Sequence, residues 1–226
     1  MPELPEVEIA VRKLRTLILG KRILNLSGRK ILKIERKGKA ILIYLSGGKI
    51  LGFHQRMTGK LLIVARGFKD KHIRRKFKLS DGRDLVFHDV RKFGVVWYGP
   101  AKKVLADNYF KTLGEDALTA GLQSIKNILL NRKGKIKPFL LNQKNLAGVG
   151  NIMADEILWR AKIHPETRIY SLSDKKIKAF YKSLRYILTK SIRLGGSTMR
   201  DWLRPDASEG GYFEKRYVYN REGEKC

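Results

Sequence analysis

The opening octet, MPELPEVE, holds the most reactive arrangement of residue types in the chain. Pro2 follows the initiator Met, and a small second residue usually lets that Met be trimmed, which would leave a secondary amine at the chain start. A free α-amino group titrates at about pH 8, so a useful fraction is unprotonated at neutral pH. Such an amine is a nucleophile, and Glu3 beside it is an acid/base partner. Attack on a sugar carbon would give an iminium, whose fixed positive charge is an electron sink for elimination. The octet also reads as an ordinary helix start. Proline suits the first helical position, and the acids Glu6 and Glu8 suit the positive end of the helix dipole. Val7, Val11, Leu14 and Leu17/Ile18 continue it as an apolar stripe, and Gly20 is the stop.

Four further stretches have chemistry in them. Arg36-Lys37-Gly38-Lys39-Ala40-Ile41 is a basic turn entering a strand, able to neutralise phosphate and equally able to be a solvated loop. In His54-Gln55-Arg56-Met57-Thr58-Gly59 the methionine sits between polar residues before a glycine, which suits a loop tip better than a core. His88-Asp89-Val90-Arg91-Lys92-Phe93-Gly94 presents an arginine, able to read a base edge with paired donors, next to a ring able to unstack a base step. A basic hairpin with an inward Phe is the plainer alternative. In Asn142 to Pro165, Gly148 and Gly150 frame a tight turn and Asn151 stands where it could cap a helix from Ile152 to Ala161. A helix N-terminus with free amides is a phosphate site. Asp155 and Glu156 then read as acids of its first turn, complementing the dipole.

The elements that must position these residues fall into two kinds. Residues 22–98 alternate in strand fashion, with strands expected near 31–45, 49–54, 60–65, 76–79, 84–88 and 94–98, punctuated by Gly47-Gly48, Gly59, Asp81-Gly82 and Gly99-Pro100. Many short strands at close spacing predict a β-sandwich or barrel. From residue 101 the pattern turns helical, over 101–112, 122–132, 136–144, 151–161 and 174–194, and the last returns at Gly195-Gly196. The tail, 212–226, alternates again through Tyr212, Phe213, Tyr217, Val218 and Tyr219. The class is α+β: an N-terminal β-sandwich with a leading helix, then a helical domain.

Composition narrows the partners. The chain has 226 residues, 43% of them apolar, and 49 Lys+Arg against 21 Asp+Glu, a net charge of +28. That field favours a polyanion and points to nucleic acid. No run of about 18 apolar residues exists to cross a bilayer as a helix. The acidic start lacks the layout of a signal peptide, so a cytoplasmic, nucleoid-associated protein with no membrane partner is expected. The single cysteine, Cys226, excludes an intrachain disulfide and a cysteine zinc site.

The octet, and then each stretch in order over nearly the whole chain, resembles the bacterial formamidopyrimidine-DNA glycosylase family. The resemblance implies a bifunctional glycosylase and abasic-site lyase that extrudes an oxidised purine from duplex DNA. Pro2 would attack C1′, Glu3 would assist base loss and ring opening, Glu6 would support the amine, and β- and δ-elimination would follow. Lys39 and His54 match phosphate-side positions, and Met57 the residue that fills the gap left by the extruded nucleotide. Arg91 matches the reader of the opposite base, and Phe93 the wedge beside it. Lys144 and Asn151 match phosphate contacts of a helix–two-turn–helix. Residues 195–198 and 205–213 resemble the loop leading towards the damaged base, and 218–224 the first strand after it. By family implication the lesions are 8-oxoguanine and formamidopyrimidines opposite cytosine, met by a monomer.

The implied domains are 1–118, a catalytic sandwich; 119–211, a DNA-binding helical domain; and 212–226, the remnant of a finger hairpin. Here the pattern is interrupted. Cys226 matches the first of four family zinc ligands, so no such site forms within this chain and no cofactor is expected. A fragment and a form without the finger both remain open. Val90 stands where the family has proline, Gln55 where it has leucine, and Arg74 where it often has a second histidine. Two other readings stay in view: a sister enzyme for oxidised pyrimidines, whose start usually reads Pro-Glu-Gly-Pro, and a non-catalytic DNA-binding protein. Leu4 and the Arg91/Phe93 pair favour the purine branch, and borohydride trapping on an abasic duplex separates enzyme from binder.

Overall fold

The computed structural model describes residues 1–130, 132–198 and 202–224. Helix α1 (Leu4–Ile18) is placed as its apolar stripe predicts, with Pro5 in its first turn and Val7, Val11, Leu14 and Ile18 fully buried. Eight strands follow: β1 (Arg22–Ile23), β2 (Arg29–Lys37), β3 (Ala40–Leu45), β4 (Lys49–His54), β5 (Lys60–Ala65), β6 (Ile73–Lys78), β7 (Arg83–His88) and β8 (Val95–Pro100). They form a five-stranded sheet, β1-β2-β3-β4-β8, and a three-stranded sheet, β5-β7-β6, in which the cross-strand pairs are antiparallel. One buried cluster joins the two sheets and α1: Ile34, Ile41 and Phe53 from one, Leu61, Phe77 and Phe87 from the other, and Val7, Val11 and Leu14 from the helix. This is the sandwich of an α+β fold.

The helical half contains α2 (Ala101–Leu105), α3 (Asn108–Lys111), α4 (Leu122–Leu129), α5 (Ile136–Leu141), α6 (Asn151–Arg160) and α7 (Asp174–Arg193). A short parallel pair, β9 (Glu115–Asp116) with β10 (Leu146–Ala147), ties its entrance to the turn before α6. Its core gathers Ile125, Ile136, Leu140, Ile157, Leu158, Phe180, Leu184 and Leu188, and Leu4 from the chain start joins it. The helix expected at 101–112 is two helices, because Asp107 caps the second through the Tyr109 amide. Helix α5 stops short of 144 where Asn142 turns extended.

Two expectations near the C-terminus are corrected. The alternating tail forms no strand among the described residues: residues 213–215 make a 3-10 turn, and 217–220 and 222–224 are turns and bends. The cause is Glu156. Its carboxylate is fully buried and accepts the amides of Tyr217, Val218 and Tyr219 and the hydroxyl of Tyr212. Those amides are the donors a strand partner would have used. Glu156 is therefore not a first-turn dipole acid, and Asp155 pairs instead with Lys137 at 2.7 Å. Cys226 lies outside the described residues.

Candidate functional site

Glu3 is the hub. It stands at the N-cap of α1, where its backbone amide donates to Glu6 Oε2 at 2.9 Å. Its carboxylate reaches the start of α6, about 150 residues away in sequence: Oε1 accepts the Ile152 amide at 2.8 Å, and Oε2 accepts the amides of Gly150 and Met153, each at 3.0 Å. So one side chain supplies partners for the orphan donors of a helix in the other half. The local prediction that Asn151 caps α6 is corrected. Gly150 is the N-cap, without a side-chain hydrogen bond, and Asn151 is the first helical residue, exposed to solvent. Glycine is needed for this approach. A Cβ on Gly150 would lie 2.3 Å from Glu3 Cδ, and one on Gly148, whose φ is +105°, would lie 2.5 Å from Leu4 Cδ1. The Leu4 amide donates to the Gly148 carbonyl at 3.0 Å, seating the chain start on that turn.

Pro2 is buried beside this hub, whereas Met1 is half exposed. Glu6 accepts the Ser197 amide on Oε1 at 2.7 Å and so holds the segment after α7 against the same site. Burial, then the nearby Glu3 charge, pushes the Glu6 carboxyl up to about 7. Burial also raises Glu3, against the opposing pull of Lys39 and the three amides. Oε2 of Glu3 accepts two amides and Oε1 one, which leaves Oε1 freer to carry a proton. Lys39 is 4% exposed, and burial lowers its ammonium although both carboxylates draw it back up. Its backbone amide donates to Tyr109 Oη at 2.9 Å. Arg36, the buried neighbour of this turn, binds Asp116 on β9 with two nitrogens and Glu8 on α1 with Nε. Pro2, Glu3, Glu6 and Lys39 thus meet in one buried polar cluster at the chain start, in which burial raises both carboxyls and lowers the Lys39 ammonium.

The remaining expected residues divide. Met57 and Phe93 are exposed at 47% and 54%, and Arg91 is exposed between them. Arg91 donates through one guanidinium nitrogen to Met57 Sδ at 3.2 Å and lies 4.8 Å over the Phe93 ring. The three form one raised cluster built from two loops. Lys144 and Asn151 are exposed on the turn and helix start of the other half. His54 is different. It is 5% exposed, its Nδ1 accepts the Arg56 amide at 3.0 Å, its ring meets Tyr109 edge-on, and burial lowers it to about 4. It is an interior group whose neutral form burial favours. Sequence reasoning missed Asp89, Tyr109 and Glu156. Each has a partner 31 to 70 residues away, Thr58 for Asp89, Lys39 for Tyr109 and Tyr217 for Glu156, so no local pattern marks its role.

Among the described residues no group of three or more His, Cys, Asp or Glu is arranged to hold a metal ion. With one cysteine in the chain, the donors for a four-cysteine site are not there.

Comparison with known proteins gives concordant matches. Residues 24–96 match the formamidopyrimidine-DNA glycosylase N-terminal domain, and residues 113–202 the formamidopyrimidine-DNA glycosylase H2TH domain. A formamidopyrimidine-DNA glycosylase of Pelotomaculum thermopropionicum is 37% identical over 249 aligned positions, covering 100% of this chain and 90% of the relative. That of Pediococcus pentosaceus is 37% identical with the same coverage. Among solved structures, the MutM (Fpg) protein of Thermus thermophilus superposes with a TM-score of 0.90 at 35% identity, covering 100% of this chain and 90% of the other. Lactococcus lactis Fpg in complex with DNA containing an abasic site gives 0.89 at 33% identity, covering 99% and 90%.

Proposed function

The chain belongs to the formamidopyrimidine-DNA glycosylase family, whose enzymes are bifunctional glycosylases and abasic-site lyases, and we propose that it removes oxidised purines through an N-terminal proline Schiff base. The observation that carries this reading is the seating of Glu3, next to Pro2, on three amides at the start of α6. Once Met1 is removed, the Pro2 nitrogen lone pair attacks C1′ of the extruded nucleotide. The bond from C1′ to the base breaks, and the base leaves with the proton that the attacking amine nitrogen gives up. Glu3, whose carboxyl burial shifts upward, gives a proton to the opening sugar ring. The iminium then acidifies C2′, and loss of that proton expels the 3′ phosphate; a second elimination expels the 5′ phosphate. Glu6 holds the Glu3 backbone and so steadies the amine, and Lys39 balances the paired carboxyls.

On the DNA side, Met57 and Phe93 are assigned to filling and wedging the stack, and Arg91 to the opposite base. Lys144 and Asn151 are assigned to the backbone. His54 supports the Lys39 turn from within. Damaged or abasic-site DNA is the partner of the solved Lactococcus lactis relatives, and the +28 charge of this chain suits the same partner. The domains 1–118, 119–211 and 212–226, action as a monomer and a cytoplasmic, nucleoid-associated location belong to the same proposal. The test is borohydride trapping on an abasic duplex. Protein with Met1 removed is expected to form a covalent adduct, and protein with a residue kept before Pro2 to form none while binding duplex within about tenfold. Full trapping by the blocked protein would exclude the N-terminal amine.

A further inference from the structure

Two residues that set this chain apart, Arg74 and Val90, meet in space. Strand β6 slips register against β7 between Ile73 and Arg75, so Arg74 is the extra residue of a bulge. Bulges re-aim side chains. Arg74 is turned to the loop that follows β7, where its Nε donates to the Asp89 carbonyl at 2.8 Å and a terminal nitrogen reaches the Val90 carbonyl at 3.5 Å. That loop has little stiffness of its own. Val90 is 45% exposed, and Lys92 has a φ of +62°, which a side-chain-bearing residue adopts at some cost.

The loop's ends are fastened by Asp89, whose carboxylate is 1% exposed. Oδ1 accepts the Thr58 hydroxyl at 2.5 Å, and Oδ2 accepts the Gly94 amide at 2.7 Å. The Arg91 amide in turn donates to Thr58 Oγ1 at 3.2 Å, and the Asp89 amide donates to the His72 carbonyl at 3.0 Å. Asp89 therefore clasps the Met57 loop to the Arg91–Phe93 loop, and Arg74 braces that clasp from the neighbouring strand.

We infer that Arg74 is a positioning residue for opposite-base reading: its guanidinium supplies the restraint that a proline at position 90 would otherwise give the Arg91 loop. The inference rests on the assignment of Arg91 as the opposite-base reader. A proline fixes φ at one residue and needs no hydrogen-bond donor there. The guanidinium instead fixes the same turn through its carbonyls. The Val90 amide makes no hydrogen bond among the described residues, so proline would cost none at that position.

The experiment compares wild type, Arg74→Ala, Arg74→Lys, Val90→Pro, the double variant Arg74→Ala/Val90→Pro, and Arg91→Ala. Two quantities are read: hydrogen exchange of the amides in 89–94, and the ratio of kcat/KM for 8-oxoguanine opposite cytosine to that opposite adenine. Arg74→Ala is expected to speed exchange in 89–94 and lower the ratio about three- to tenfold, the range of one lost hydrogen bond. Arg74→Lys, which keeps charge but not the planar fork, is expected to fall between. Adding Val90→Pro to Arg74→Ala should restore both readouts. If Arg91→Ala lowers the ratio but Arg74→Ala and Arg74→Lys change neither readout, the inference is overturned and the reader assignment stands. If Arg91→Ala leaves the ratio unchanged, the assignment fails and the inference with it. Loss of both readouts in Arg74→Ala without rescue by Val90→Pro overturns the inference in favour of a general packing role for the strand.

Discussion

Glu6 has to settle its charge without help from water, and its two oxygens already accept the amides of Glu3 and Ser197. Its carboxyl is raised from 4.5 to about 7 in the folded protein. Between those values the folded state holds a proton that the unfolded state has lost, so the slope of stability with pH is negative there. The penalty is absent below about pH 4.5 and complete above about pH 7, on the order of 3 kcal/mol. Glu6→Gln is expected to be destabilised by about 1–3 kcal/mol at pH 5, since one of the two amides then faces an NH₂. Its deficit against wild type should shrink as pH rises to 7.5, and urea denaturation at several pH values reads this directly. At this scale the sequence was informative where chemistry is local. Pro2, Glu3 and Glu6 stand together in the octet, and Met57, Arg91 and Phe93 declare themselves by being apolar or paired-donor residues in turns. His54 ends β4 as its strand pattern predicts, and its interior position there could not be read from the resemblance that matched it to a phosphate-side position.

Helix α6 shows what element-level reading can and cannot reach. Its buried side follows from periodicity, and Ile152, Ile157, Leu158 and Ala161 are indeed interior. Its cap does not, because the capping carboxylate comes from residue 3 and its tail partner, Glu156, binds residues 217–219. Periodicity is a short-range signal, and both of these are closures between distant segments. The strands β2 to β8 were legible for the same reason, apart from β6, where the bulge at Arg74 broke the alternation, whereas the two-residue β1, β9 and β10 are too short to show a period. Gly150 offers a clean test of the α6 cap. Its φ of −124° is open to any residue, so alanine there demands only the space that Glu3 now fills. Gly150→Ala is expected to lower trapping on abasic duplex by about a hundredfold, the scale of an ångström-sized misplacement. The melting temperature should move by only a few degrees, which calorimetry would check.

Across the whole molecule the charge is spread more widely than the candidate contacts. Of the two exposed backbone positions, only Lys144 is cationic, and it pairs with no carboxylate among the described residues. Lys144→Ala is expected to weaken binding to all duplexes alike and to lower the slope of log K against log salt by about one unit. Anisotropy titrations between about 50 and 200 mM salt would measure it.

The bridge from Glu3 to Gly150, Ile152 and Met153 has a consequence in time as well as in space. It spans a sequence separation of 147 to 150 residues, and the bond from Glu6 to Ser197 spans 191. Contacts of such separation close late, because their entropy must be met before they stabilise anything. On a ribosome adding about 5–20 residues per second, the octet would wait roughly 7–30 s for the turn that receives it. Until then its acids have no amides to bind, and the amine, even if already unmasked, has no acid partner in place. In refolding from denaturant, adduct-forming capacity should therefore appear with the slowest phase, after the sandwich's own fluorescence change is complete. Adduct formation in the fast phase would mean that the sandwich half can arm the amine without α6.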